Sequence, residues 1–339
     1  MKLKNLVRVA LILTFIVIML GAYTRLADAG LGCPDWPGCY GQLTVPVQQH
    51  ELERASSLYP DLKVEADKAW LEMIHRYFAG TLGLVVFAIT ALSIKSRAVP
   101  SFLPISISLV VVFQALLGMW TVTMKLMPII VMGHLLGGFT LFALLALLYW
   151  RLTHAQDQID HLTIPPMLRL LALTSLFFLL VQIALGGWTS SNYAALMCTS
   201  LPLCEGDWRS HLDFVNAFTL IQPERETYEF GTLDYGARMT IHVVHRIGAL
   251  VVAVSTLCLI YQMLAESDSV LNRLAWRVFS LLCLQIGLGI SNVVLSLPLA
   301  VAVAHNLGAA LLMLSLLYVN FLLWYPSESV VLNKERVHE

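Results

Sequence analysis

Eight apolar stretches, each long enough to cross a bilayer, leave this chain little choice of fold. They fall near residues 6–24, 70–93, 102–124, 128–150, 167–189, 239–263, 274–296 and 298–325, against the ~17–25 residues that a spanning helix needs. In hydrocarbon every backbone N–H and C=O must find its partner inside the segment, so such stretches are helices. Composition agrees: 58% of the 339 residues are hydrophobic and only 13% charged, with a mean hydropathy of +0.74. Soluble domains carry about 25% charged residues. The expected class is therefore an all-α polytopic membrane protein. A net charge of −1 gives no indication of a nucleic-acid partner.

The first stretch follows a short basic start (Lys2, Lys4, Arg8) and lacks a small-residue cleavage site where one would be expected, so it reads as a retained helix and not as a signal peptide. Basic residues set the orientation. Lys95, Arg97, Arg151, Arg169, Arg273, Arg277, Lys334 and Arg336 share one side with the N-terminus. The short loop near 125 on the other side holds only Lys125, and the one near 297 holds no base. Both termini are thus expected in the cytoplasm, with two long segments, about 27–69 and 190–238, outside.

Those outer segments contain four of the six cysteines, as GCPDWPGC (Cys33, Cys39) and MCTSLPLC (Cys198, Cys204). Equal C-x5-C spacing on an oxidising face points to two disulfides; zinc fits less well, because the spacing exceeds the usual C-x2–4-C and no histidine is fixed beside it. Cys258 and Cys283 fall within helices and are expected to pack as small apolar residues.

The two outer segments also reveal a repeat. Aligned without a gap, residues 21–41 and 186–206 are identical at 8 of 21 positions, both cysteines included, at an offset of 165. Downstream the offset is 170 for His75/His245 and 171 for His134/His305, and Gln114-x3-Gly118 matches Gln285-x3-Gly289. Two four-helix halves, 1–155 and 156–339, would then share one topology. An even number of helices makes the repeats parallel, which disfavours a transporter built on inverted repeats.

Histidines inside apolar helices are costly and need a reason. His75, His134, His245 and His305 each lie about 5–7 residues past an outer helix start, roughly 8–10 Å down at ~1.5 Å per residue. Paired neutral imidazoles across an apolar slot in a four-helix bundle suit an iron porphyrin. Glycines nearby (Gly80, Gly137, Gly138, Gly248, Gly308) leave room for a flat macrocycle or for close helix packing. Arg76 and Arg246 either neutralise its propionates or bond loop backbone, and the former use is expected. His242, which has Glu72 as its counterpart, reads as a packing or supporting residue. His50, His154, His161, His211 and His338 read as solvated. The Gln-x3-Gly pattern at 114, 182 and 285 reads as a close-packing device.

The motifs GAYTRLADAGLGCPDWPGC at 21–39, EMIHR at 72–76, GHLLGG at 133–138, HVVHRIGAL at 242–250 and AHNLGA at 305–310 together resemble the heme A synthases, across all eight helices. The resemblance implies oxidation of the methyl group of heme O to the formyl group of heme A, for terminal oxidases. It implies heme b on His245 and His305, substrate heme at His75 and His134, and a catalytic role for Glu72. Implied partners are heme O synthase, oxidase assembly factors, membrane lipid, an electron acceptor of unspecified identity and a second copy of the chain. The expected location is a bacterial inner membrane with the cysteine loops in the periplasm. The cysteine pairs are not universal in that family. Turning CH3 into CHO removes four electrons and adds one oxygen, through an alcohol and a gem-diol, and a carboxylate one helical turn from His75 could stabilise the developing charge or deprotonate water. The competing reading is a bis-histidine diheme b-type cytochrome in electron transfer, which would not need Glu72.

Overall fold

The structure is a computed structural model and describes residues 3–153, 164–202 and 204–325. His154, His161, His338 and the bases Lys2, Lys334 and Arg336 lie outside the described residues. Among those described, all regular structure is helical: α1 (Leu3–Leu26), α2 (Gln49–Leu58), α3 (Ala66–Ser96), α4 (Phe102–Thr123), α5 (Pro128–Leu152), α6 (Pro166–Ser191), α7 (Phe214–Ala217), α8 (Tyr235–Ala265), α9 (Ser269–Val294) and α10 (Leu299–Trp324). Eight of these, all but the short α2 and α7, are long and apolar enough to cross a membrane.

The spans start and stop for local reasons. Pro128 and Pro166 open α5 and α6 in the first turn, where a missing N–H costs nothing. The Asp268 carboxylate caps α9, accepting from the N–H groups of Val270 and Leu271 at 2.8 and 2.9 Å. Two consecutive left-handed residues, Lys125–Leu126 and Ser296–Leu297, turn the chain between α4 and α5 and between α9 and α10.

Around a ring, α1 packs on α3, α3 on α4, α4 on α5 and α5 on α1. A second ring runs α6, α8, α9, α10 and back to α6. The rings meet where α5 packs on α6, α1 on α10, and α5 on α10. Exchanging each helix of one ring for its counterpart in the other leaves this set of neighbours unchanged. Residues at the junction meet their own counterparts in the ungapped alignment, as a two-fold interface requires. Arg25 donates to the Ser190 carbonyl at 2.9 Å and to the Tyr193 hydroxyl at 2.7 Å, and that hydroxyl donates to Asp28 at 3.0 Å. The guanidinium also lies 4.2 Å from the Tyr193 ring centre.

Both rings are packed most tightly at one end. Val7, Ala10, Val86, Ile89, Ile107, Leu145 and Leu148 close the first ring there. Leu168, Ala172, Leu259, Met263, Leu271, Val278, Leu316 and Val319 close the second. At the opposite end each ring is capped by its cysteine loop. Cys33, Cys39 and Tyr40 pack with Ala69 and Met73 of α3; Trp188, Ala194 and Ala217 pack with Ala237 and Ile241 of α8.

These caps explain two boundaries that hydropathy misplaces. Helices α3 and α8 run 31 residues each, about 46 Å at 1.5 Å per residue, well beyond the ~30 Å of hydrocarbon. Each begins four residues earlier than its apolar stretch, and the added turn lies against the loop. Cys258 and Cys283 are another correction. Both are exposed on the flanks of the bundle, beside lipid-facing residues such as Leu257 and Leu284, and fill no core.

The exchange symmetry predicts that an experimental structure will superpose α1, α3, α4 and α5 on α6, α8, α9 and α10 by a two-fold rotation about the membrane normal. Inverted rings, or any of the four histidines at the tightly packed end, would contradict it.

Candidate functional site

The four histidines occupy equivalent stations between the tight end and the cap. Each ring lies edge-on to a glycine of the neighbouring helix. A Cβ on Gly21 would lie 2.9 Å from His75 Cε1, on Gly118 3.4 Å from His134 Cε1, on Gly186 3.2 Å from His245 Cε1, and on Gly289 3.1 Å from His305 Cε1. Glycine in the facing helix thus lets each imidazole into the ring interior. All four side chains are half-buried, between well-buried layers above and below.

Within the first ring His75 and His134 face each other, with ring centroids 6.4 Å apart and planes 86° from parallel. Imidazole nitrogens bind transition metals at about 2 Å, and with about 1 Å more to each ring centre, one metal between two rings spaces the centroids by roughly 6 Å. The centroid spacing of the first pair is close to that value. The Nδ1 atoms of His75, His134 and His305, and that of His242 in the second cap, are buried without a hydrogen-bond partner, which is unusual for a polar group. The donor set, two neutral nitrogens per ring in apolar surroundings, is that of a bis-histidine porphyrin iron.

Above each pair the helix is latched to its loop. Cys33–Cys39 and Cys198–Cys204 are disulfide-bonded, each with an S–S distance of 2.05 Å. In the first cap, Arg76 donates to the carbonyls of Asp35, at 2.9 Å, and Gly38, and pairs with Glu72 at 2.5 Å. Glu72 accepts with its other oxygen from the Cys33 N–H at 2.9 Å and is 5% exposed. In the second cap, Arg246 donates to the Ser200 and Cys198 carbonyls at 2.8 and 2.6 Å, and its Nε donates to His242 Nε2 at 3.3 Å. The guanidinium groups hold loop backbone here, the second of the two uses the sequence left open for them. Position 72 or 242 supplies the arginine's partner one turn away in both caps.

Residues 4–317 match the family model of the COX15-CtaA cytochrome oxidase assembly proteins. The chain is 56% identical to the heme A synthase of Shewanella oneidensis over 329 residues, covering 97% of this chain and 99% of that one. It is also 28% identical to the heme A synthase of Nitrosospira multiformis, over 91% of this chain and 89% of that one. The heme A synthase of Caulobacter vibrioides matches at 26% identity over 89% of this chain and 90% of that one. The chain belongs to the heme A synthase family.

For this heme A synthase family member the glutamines at 182 and 285 do more than pack helices, and Gln114 occupies the matching place. Each side chain lies in a notch on the histidine-bearing helix, at Gly137, Gly248 and Gly308, where a Cβ would overlap it. Gln182 Nε2 stands 3.0 Å from His245 Nδ1 and donates to the His245 carbonyl at 2.8 Å; Gln285 Nε2 stands 3.4 Å from His305 Nε2. The glycines at 137, 248 and 308 thus seat glutamines, while Gly80 and Gly138 border open space. The Gln-x3-Gly spacing was the available signal: four residues are one helical turn, so a ring resting on the glycine meets the glutamine next to it. His242, 4% exposed, is tied to Arg246 as described and stands in the cap. His50 and His211 are exposed.

Arg76→Gln and Arg246→Gln each leave loop carbonyls without their donor, a loss of about 1–3 kcal/mol in a buried setting. Amide hydrogen exchange should rise in 27–65 for the first variant and in 192–234 for the second, and only there. Unchanged exchange in both would contradict the latches.

Proposed function

We propose that the protein is a heme A synthase, an oxidoreductase that converts the methyl group of heme O to the formyl group of heme A in a bacterial inner membrane. Residues 1–155 would take the substrate heme between His75 and His134, and residues 156–339 would hold heme b between His245 and His305. Both termini would be cytoplasmic and both cysteine loops periplasmic. The observation that carries the reading is the facing pair His75–His134, at the spacing one iron needs, in a chain akin to heme A synthases along its whole length.

The chain's own groups would divide the work as follows. His75 and His134 would hold the substrate heme between them, and the apolar walls would keep bulk water from it. Heme b, when bound, supplies a one-electron relay. The cysteine loops close the outer end, held down by Arg76 and Arg246. Glu72 lies one turn outward of His75 on the same face of α3, with one oxygen on Arg76 and the other on the Cys33 N–H. We propose that it provides the negative charge or base at the ring edge, the cap fixing its orientation. His242 at the equivalent place has no carboxylate, in keeping with a second ring that holds its heme and does not oxidise it. Heme O synthase, assembly factors of the terminal oxidase and a second copy of this chain are the proposed partners.

A variant series tests the assignment through the optical spectrum and extracted hemes of purified protein. His245→Ala and His305→Ala should lose the stably bound heme b. His75→Ala and His134→Ala should abolish product and keep that spectrum. Glu72→Gln should keep heme b while product per folded enzyme falls ~10²–10⁴-fold, the range for a lost acid–base group. Heme b lost from the first pair instead would reverse the halves. Near-normal turnover in Glu72→Gln, or the same loss in Arg76→Gln as in Glu72→Gln, would reduce Glu72 to its part in the latch.

A further inference from the structure

Three histidine stations carry a glutamine, and the fourth does not. The residue one turn before the seating glycine is Gln114 on α4, Gln182 on α6 and Gln285 on α9, but Val17 on α1, before Gly21. The residue three beyond the histidine is Gly137, Gly248 and Gly308, but Phe78 after His75. Both halves of the device are therefore missing together: no amide to reach the ring, and no notch to receive one. Val17 lies mid-way along α1 and packs against the first ring's core.

The glutamines have capacity to spare. Gln182 Oε1, Gln285 Oε1 and Gln114 Nε2 are buried without a partner. A ring that binds iron through one nitrogen carries a proton on the other, and that proton needs an acceptor. Half a turn about the terminal torsion exchanges amide oxygen and nitrogen. At Gln182 that turn would bring Oε1 to the position now 3.0 Å from His245 Nδ1, giving up the bond to the His245 carbonyl. Residues that support a metal-ligating histidine in this way typically account for 10–100-fold in affinity.

Resting on the proposed assignment of the two hemes, we propose that Gln182 and Gln285 are positioning residues that lock His245 and His305 for iron ligation, that Gln114, seated in the matching notch at Gly137, does the same for His134 once a heme is bound, and that His75, which no glutamine reaches, is the exchangeable ligand. The second ring is then doubly locked and retains its heme. The first is locked on one side only, at His134, so that a heme enters and leaves by way of His75. A site that turns over heme as substrate needs that asymmetry, and a site that keeps heme as cofactor does not.

The test follows heme retention and the spectrum, independently of turnover. Full-length protein is purified from a host supplying protoheme, and heme loss to excess apomyoglobin is timed. Gln182→Leu and Gln285→Leu should each speed loss of the second-ring heme by about 10–100-fold and shift its midpoint potential. Val17→Gln with Phe78→Gly should install the fourth lock and raise retained heme from one towards two per chain, with the added heme lost again on His75→Ala. Wild-type loss rates and potential in both leucine variants would overturn the proposal, as would an unchanged heme content in well-folded Val17→Gln/Phe78→Gly. If His245→Ala leaves the retained heme untouched, the underlying assignment fails, which is distinguishable because the leucine variants presuppose that heme.

Discussion

An imidazole inside hydrocarbon is tolerable only if its nitrogens are used, and four of them at one level govern this structure. Each needs space, so the facing helix gives up its side chain: Gly21, Gly118, Gly186 and Gly289. Each needs fixed surroundings, so the bundle is packed hard below, around Ile107 and Leu145 in one ring and Leu259 and Leu316 in the other. Above, the caps seal the ends. The half-buried histidine layer lies between those two, where a helical bundle commonly places a ligand.

The caps show how a membrane protein keeps irregular backbone at the edge of hydrocarbon. Loop carbonyls there cannot rely on water, and Arg76 and Arg246 take them in groups. Each arginine belongs to the same helix as a site histidine and follows it directly, so cap and histidine move as one body. Disulfides shorten the loops that the arginines must hold. Glu72 is where the two caps part company: its carboxylate ties α3 to the Cys33 backbone as well as to Arg76, whereas His242 meets only the arginine among the described residues.

Much of this was legible in the sequence because hydropathy and repetition are long-range signals. Eight spans, the cysteine pairs and the matched histidines could be read by counting. What could not be read depends on contacts between helices whose azimuth no sequence period reports. The extra turns of α3 and α8 are polar, with Asp67, Lys68 and Arg238, and look like loop until Ala69, Met73 and Ile241 are seen under the caps. That Arg76 and Arg246 hold loop carbonyls was not legible, because backbone partners leave no mark on composition. Cys258 and Cys283 read as small apolar packing residues, and their exposure was not legible because lipid-facing and packed positions are equally apolar in a membrane. The glutamines were visible as a spacing, but their reach to a histidine on another helix was not.

The central claim is that this chain makes heme A. The most direct measurement is to express it with a heme O-producing enzyme in a host that makes no heme A, and to analyse the extracted hemes. The account predicts heme A, dependent on His75, His134 and Glu72. Extracts containing only protoheme and unchanged heme O, with two protohemes held stoichiometrically by the purified protein, would contradict it and mark the chain as an electron carrier.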